Sequence, residues 1–395
     1  MYRTVIAALS AFALGIAANA AAAQQLEVHR SGKTYHRAVC SKPTAPLVMR
    51  CHSEIVTDPQ GNALLTPNAP GVTPSGFSPA QLQTAYTVDP AHGKATSIIA
   101  IVDAYGYARA EADLAVYRAK FGLPACTTDN GCFAKYNQDG EAGNYPKDNV
   151  GWSQETALDL DMASAMCPKC KIILVQAKTP SLTNLAAAVN TAANLGAVVI
   201  SNSYGGDETG TTSFEPAYNH AGIAVTVSTG DNGYGVSFPA TSPHVVAVGG
   251  TSLVLGVGGR VETAWDGAGS GCSKVYAKPS YQTDKGCKKR MVADVSAVAD
   301  PNTGVAVYAP TSKTSSSWAV FGGTSASAPI IAGIYANQGT KKKSAKTLYA
   351  NSDQLYDVTL GANGTCGTAN AYFCKAGTGY DGPTGLGSPN GTGPF

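Results

Sequence analysis

From residue 76 onward, the apolar positions of this chain fall into two kinds of run. Short, nearly continuous runs such as TSIIAIVDAY, KIILVQA, AVVISNSY, IAVTVSTG and HVVAVGGT fit strands buried on both faces. Between them lie stretches with helical spacing: ARAEADLAVYRAKFGL, an acidic segment from Ser153, SLTNLAAAVNTAANLG and a segment around 212–221. Near-continuous strands alternating with amphipathic helices predict an α/β, doubly wound, mostly parallel sheet flanked by helices. In such sheets function collects at the carboxyl ends of the strands. An apolar helix after Ser325 ends toward Lys341 to Lys343 and Lys346, where cations suit the helix dipole. Residues 24–75 are polar, with Pro, Thr and Asn, and lack strong periodicity. They are expected to be a short N-terminal extension or propeptide remnant ahead of one catalytic domain, 76–395.

Composition narrows the setting. Lys and Arg number 28 against 26 acidic residues, a net charge of +2. That balance gives no reason to expect nucleic acid or an anionic membrane as a partner. Residues 1–23 carry Arg3, an apolar run and a small-residue end, and read as a secretory signal peptide; a transmembrane anchor is the competing reading. The expected location is therefore extracellular or periplasmic, with no membrane anchor after cleavage, and the expected state is a monomer. Ten cysteines fall into five close pairs: Cys40 and Cys51, Cys126 and Cys132, Cys167 and Cys170, Cys272 and Cys287, Cys366 and Cys374. Local disulfides are the simplest pairing in an exported chain, although sequence leaves connectivity open. Asn363 and Asn390 begin N-x-T sequons.

The chemistry begins at FGGTSASAP. Ser325 stands at a helix start among small residues, as a nucleophilic serine is presented, and such a serine needs a base. The chain has six histidines, and neither His220 nor His244 lies in a base motif. In GWSQETALDLDMASAM, Glu155 and Asp159 are four apart and share one helix face, with Asp161 nearby. A solvated acidic surface is the ordinary reading. The surrounding segment is small and apolar, and a partly buried carboxylate there would have a raised pKa and could act as a base, although spacing alone favours the solvated surface. In STGDNG, Asp231 follows a strand end. It suits an Asx turn, or, protonated, a hydrogen-bond donor to an oxyanion.

GGTSASAP, ETALD, STGDNG and the C-terminal GTGYDGPTGLGSP, in this order, resemble the sedolisin family of serine-carboxyl peptidases, which share the subtilisin fold. The resemblance runs from about residue 76 to the C-terminus. It implies a secreted endopeptidase acting on peptides or proteins in acid through an acyl-enzyme. Ser325 would be the nucleophile, Glu155 the base, Asp159 the residue orienting Glu155, and Asp231 the oxyanion donor. Asp103 and Tyr204 would support them. It also implies one structural Ca2+, held by the side chains of Asp357 and Asp381 and the carbonyls of Val358, Gly377 and Gly379. A catalytically inactive relative serving as a secreted binding or structural protein is the alternative.

Overall fold

The computed structural model describes residues 26–339 and 344–395. The expected signal peptide and Lys341 to Lys343 lie outside them. The centre is an eight-stranded sheet with the order Gly259–Ala264, Val246–Gly256, Ala224–Ser228, Val199–Asn202, Ile98–Ala104, Lys171–Ala177, Phe133–Asn137; Val295–Val298 also pairs with Val246–Gly256. All neighbours are parallel except Gly259–Ala264, which folds back antiparallel. The apolar runs read as strands are these strands, and helices flank the sheet. The expected subtilisin-like α/β fold is the observed one.

Two helices carry the central chemistry, and both are buried all round. Val150–Met166 starts at Asn149, whose side chain accepts a hydrogen bond from the Trp152 N–H, and is buried from Trp152 to Met166. Thr324–Gln338 is buried from Thr324 to Asn337 and packs against it. A helix with no solvated face has no amphipathic stripe, so its polar residues must find partners inside. Pro329 lies within the second helix. It has no N–H to give the carbonyl of Ser325 one turn earlier, and Ser203 Oγ lies 3.5 Å from that carbonyl oxygen.

Two expectations change. The segment around 212–221 holds only a 3₁₀ turn, Glu215–Tyr218. Pro216 is tolerated at its start, but Gly222 follows at φ 81°, outside helical space. Residues 24–75, given no elements above, contribute strands Val28–Ser31, Thr34–Ala38, Arg50–Cys51, Glu54–Thr57 and Leu65–Thr66. Four of these join Val305–Pro310 and Ser316–Gly322 in a six-stranded sheet, while Arg50–Cys51 pairs with Tyr204–Gly205. All five expected local disulfides are formed. The sequon residue Asn363 is 3% exposed, and its amide donates to the Ala268 carbonyl and Ser270 Oγ, which leaves no place for a glycan.

A buried ion pair anchors the sheet edge. Arg290 donates to both oxygens of Asp294 at 2.6 and 2.5 Å, and Asp294 also accepts the Ala247 N–H. Asp294→Ala leaves a guanidinium uncompensated in the interior, and such losses cost about 3–5 kcal/mol. Urea denaturation should show a drop of that size; a loss below about 1 kcal/mol would mean the pair is dispensable.

Candidate active site

The two buried helices bring Ser325 to Glu155. Gly323, at φ 88°, turns the chain from strand Ser316–Gly322 into the second helix, so Ser325 stands in its first turn. Ser325 Oγ donates to Glu155 Oε2 at 2.9 Å and lies 3.3 Å from the Ser203 carbonyl oxygen. Both side chains are 0% exposed. The helix start, as the positive end of the helix dipole, favours negative charge here.

Asp159 is one turn further along the same helix and is equally buried, and its Oδ1 accepts from Ser203 Oγ at 2.7 Å. Asp103, at the end of the central strand Ile98–Ala104, completes a three-carboxyl cluster. Both Asp103 oxygens, Glu155 Oε1 and Asp159 Oδ2 are buried without a protein donor. Such oxygens are tolerated when the cluster carries the missing hydrogens itself. The pKa directions agree. Burial, then the charge of Asp103, raises both Glu155 and Asp159, and burial pushes Asp103 up to about 7. The hydroxyls of Ser325 and Ser53 work against the shift at Glu155.

Asp231 lies beyond the strand Ala224–Ser228. Its Oδ1 accepts from the Thr324 N–H at 2.8 Å and from Thr324 Oγ1 at 2.7 Å. Thr324 Oγ1 in turn accepts the Gly230 N–H. Burial, then the charge of Glu54, raises the pKa of Asp231 well above the usual carboxylate range. A methyl group added at Gly323 would lie 2.1 Å from the His52 carbonyl oxygen and 2.6 Å from Asp231 Oδ2. Those two oxygens therefore border one small space beside Ser325. The Ser325 N–H donates to the same His52 oxygen at 3.2 Å.

The structure thus gathers Ser325, Glu155, Asp159 and Asp103, with Asp231 on the other side of Ser325. Asp161 points elsewhere and accepts the Tyr308 N–H. Tyr204 donates to Asn202. His220 meets the Ala217 carbonyl and His244 meets Glu215, so neither serves Ser325. Sequence reasoning missed Ser203 and Thr324, the partners that hold Asp159 and Asp231. The only trace was the small polar character of SNSYGG and GGTS.

The chain matches the model of the subtilase family over residues 140–358. It belongs to that family, on its sedolisin branch. Kumamolisin of Bacillus sp. (strain MN-32) is 33% identical over 80% of this chain and 63% of its own length. Sedolisin of Pseudomonas sp. (strain 101) is 28% identical over 80% and 60%. The chain thus spans under two thirds of either relative. A solved structure of Pseudomonas sedolisin, a serine-carboxyl proteinase complexed with two molecules of pseudo-iodotyrostatin, superposes with a TM-score of 0.67 at 26% identity, covering 81% of this chain and 96% of that one.

The C-terminal loops bring the five expected sedolisin-type cation ligands into one region. Gly377 N–H donates to Asp381 Oδ2, Gly379 N–H to Asp357 Oδ2, and Thr384 Oγ1 bridges Asp381 Oδ1 and the Val358 carbonyl. Burial pushes Asp381 up to about 7, with Asp357 adding repulsion. These two carboxylates, with the carbonyls of Val358, Gly377 and Gly379, would make an all-oxygen donor set of the kind a hard cation takes. Among the described residues no group of three or more His, Cys, Asp or Glu side chains could hold a metal, so carbonyls would have to complete this set.

The raised pKa of Asp103 makes a stability prediction. Its folded-state value lies above that of the unfolded chain, so the contribution to stability is present below about pH 4. It is lost as pH rises through about 7. Asp103→Asn should flatten the fall in unfolding free energy between pH 4 and 7 by about 1 kcal/mol or more. Denaturant titrations at the two pH values check this; an unchanged slope would mean Asp103 is not a strained acid.

Proposed function

We propose that this chain is a secreted, calcium-stabilised serine-carboxyl endopeptidase. The observation that carries the reading is the 2.9 Å hydrogen bond from Ser325 Oγ to Glu155 Oε2 in a water-poor site. Ser325 attacks a peptide carbonyl while ionised Glu155 takes its proton, and the raised pKa of Glu155 makes it a stronger base than an exposed carboxylate. The proton then passes to the leaving amine, and water hydrolyses the acyl-enzyme. The Ser325 N–H and protonated Asp231 stabilise the oxyanion. Asp159 and Asp103 keep negative charge scarce around Glu155, so the cluster titrates as a unit. Ca2+ would sit between Asp357 and Asp381, with the carbonyls of Val358, Gly377 and Gly379, and fix the C-terminal loops.

Glu155→Gln removes the proton acceptor while keeping the shape. On a casein-derived peptide, kcat/KM should fall by at least about 10³-fold with the fold intact. Retained activity, or its loss in His220→Ala or His244→Ala instead, would overturn the assignment.

The pH profile has a worked sign. Glu155 must be ionised, so activity falls at low pH. Asp231 must be protonated, so activity falls again as pH rises through its raised pKa. The expected profile of kcat/KM is a bell lying mostly below neutrality, and Asp231→Asn should lose part of its alkaline limb. A maximum at pH 8 in folded wild-type protein would exclude the protonated donor.

Calcium binding to the folded state alone would stabilise it by mass action. Chelation should lower Tm by several degrees, and Asp381→Ala should remove that sensitivity. A Tm indifferent to chelator would dispose of the site.

A further inference from the structure

A protonated acid buried at a strand end must place its hydrogen on an acceptor. Asp103 is 0% exposed, and neither of its oxygens has a hydrogen-bond partner in the protein. The Thr156 hydroxyl, which acts on Asp103 from the adjoining helix, gives its hydrogen to the Trp152 carbonyl at 2.9 Å. The sheet offers another neighbour. In the parallel register Asp103 stands opposite Gln176, and Gln176 stands opposite Asn137. Residues paired in this way point to the same face of the sheet, about 4.8 Å apart. Asp103, Gln176 and Asn137 thus form a polar row across the carboxyl ends of three strands, with the carboxyl cluster at one end.

The other end of the row opens into a cavity of about 590 Å³, walled in part by Tyr105, Asn137, Gln176 and Thr179. Asn137 is satisfied by its own loop: its amide donates to Glu141 Oε2 and accepts the Asp139 and Glu141 N–H groups. Gln176 is not. It is 1% exposed, and its Oε1 has no donor. A buried water needs roughly two to four polar partners, and Asp103 and Gln176 together offer them beside a polar cavity. A protonated Asp103 has a hydrogen to give, and Gln176 Oε1 lacks one, so the two are complementary across such a water. The backbone beside the cavity is left-handed at two non-glycine residues, Tyr105 (φ 64°) and Asn144 (φ 50°), a strain that clusters at functional sites.

We propose that Gln176 is a positioning residue for the catalytic carboxyls: through a buried water fed from this cavity it accepts the hydrogen of Asp103 and keeps that hydrogen turned away from Glu155. The inference rests on the peptidase reading above. Turned inward, the Asp103 hydroxyl would donate to Glu155 or Asp159 and stabilise the ionised form there. A hydrogen bond to the charged form weakens a base. Turned outward, it leaves Glu155 its affinity for the Ser325 proton. The ionisable groups that feel Asp103 are Glu155 and Asp159 on one helix and Tyr204 on the neighbouring strand. Around the cavity, Lys147 and Lys178 are offset by Asp139 and Glu141, with Tyr105 and Tyr145 beside them. Its walls therefore impose no net charge on the row.

The test joins a crystal structure of the full-length protein at pH 4 with the pH profile of kcat/KM on a casein-derived peptide. The structure should show an ordered water within hydrogen-bond distance of both Asp103 and Gln176 Oε1. Gln176→Leu, shown folded by circular dichroism, fills the space with an apolar side chain and frees the Asp103 hydrogen to turn inward. Its acidic limb should move to lower pH by at least about half a unit, because Glu155 then ionises more readily. Its kcat at the optimum should fall at least about threefold, with KM within about twofold of wild type. Gln176→Asn keeps the amide and leaves room for one more water, so it should retain the wild-type limb. A wild-type structure with no water between Asp103 and Gln176 would overturn this inference and leave the peptidase reading standing, whether or not Gln176→Leu folds. An unmoved limb in folded Gln176→Leu, or the same shift in Gln176→Asn, would do so as well. Wild-type protein that cuts no peptide at any pH would overturn the peptidase reading, and this inference with it.

Discussion

The hydroxyl of Ser325 gives its hydrogen to Glu155 where neither side chain reaches solvent, and much of the fold serves that contact. A carboxylate taken out of water is expensive unless it is paired or stays protonated. Among the described residues no basic side chain compensates Glu155: the influences on it are burial, Asp103, Asp231 and two hydroxyls. The fold therefore builds a poorly solvated carboxyl held by O–H donors, whose affinity for a proton is high because its charged form is disfavoured. Two helices buried on all sides make this possible, since either one with a solvated face would admit water to the pair.

The same economy governs Asp159 and Asp231. Each is hydrogen-bonded by a neighbouring hydroxyl, from Ser203 and Thr324, and at Asp231 the charge of Arg50 is outweighed by burial. An arginine hydrogen-bonded to either would lower its pKa and fix the charge. Hydroxyls position a carboxyl while leaving its protonation open. Contrast Asp294, clamped by Arg290, where the carboxylate is structural and its charge is fixed by the pair.

What could be read from the sequence was local. Glu155 and Asp159 announce themselves because spacing of four is a helical contact, and Ser325 because GGTSASAP compresses a turn and a helix start into a few residues. The parallel strands were visible as apolar runs. Asp231 was visible as a residue after a strand, but its hold on Thr324 was not, because that contact joins distant segments. Residues 24–75 hid the most. Their strands pair with Tyr204–Gly205 and Ser316–Gly322, and strand propensity depends on such partners rather than on local composition. The segment around 212–221 failed in the opposite direction, since its helical spacing could not outweigh Pro216 and Gly222.

Glycine links the two halves of the site. Gly205 leaves room for the His52 ring, and Gly323 lets the His52 carbonyl approach the Ser325 N–H with Asp231 alongside. A side chain at either position would push the His52 segment away from Ser325. The N-terminal strand is held by backbone groups of Ser203, Tyr204, Gly205 and Ser325. It is also braced by a disulfide on one flank and a sheet on the other, so little conformational entropy is lost when it docks. A free peptide of the same sequence must meet that cost on binding. The N-terminal strand is therefore held beside Ser325 more firmly than a free peptide of the same sequence would be.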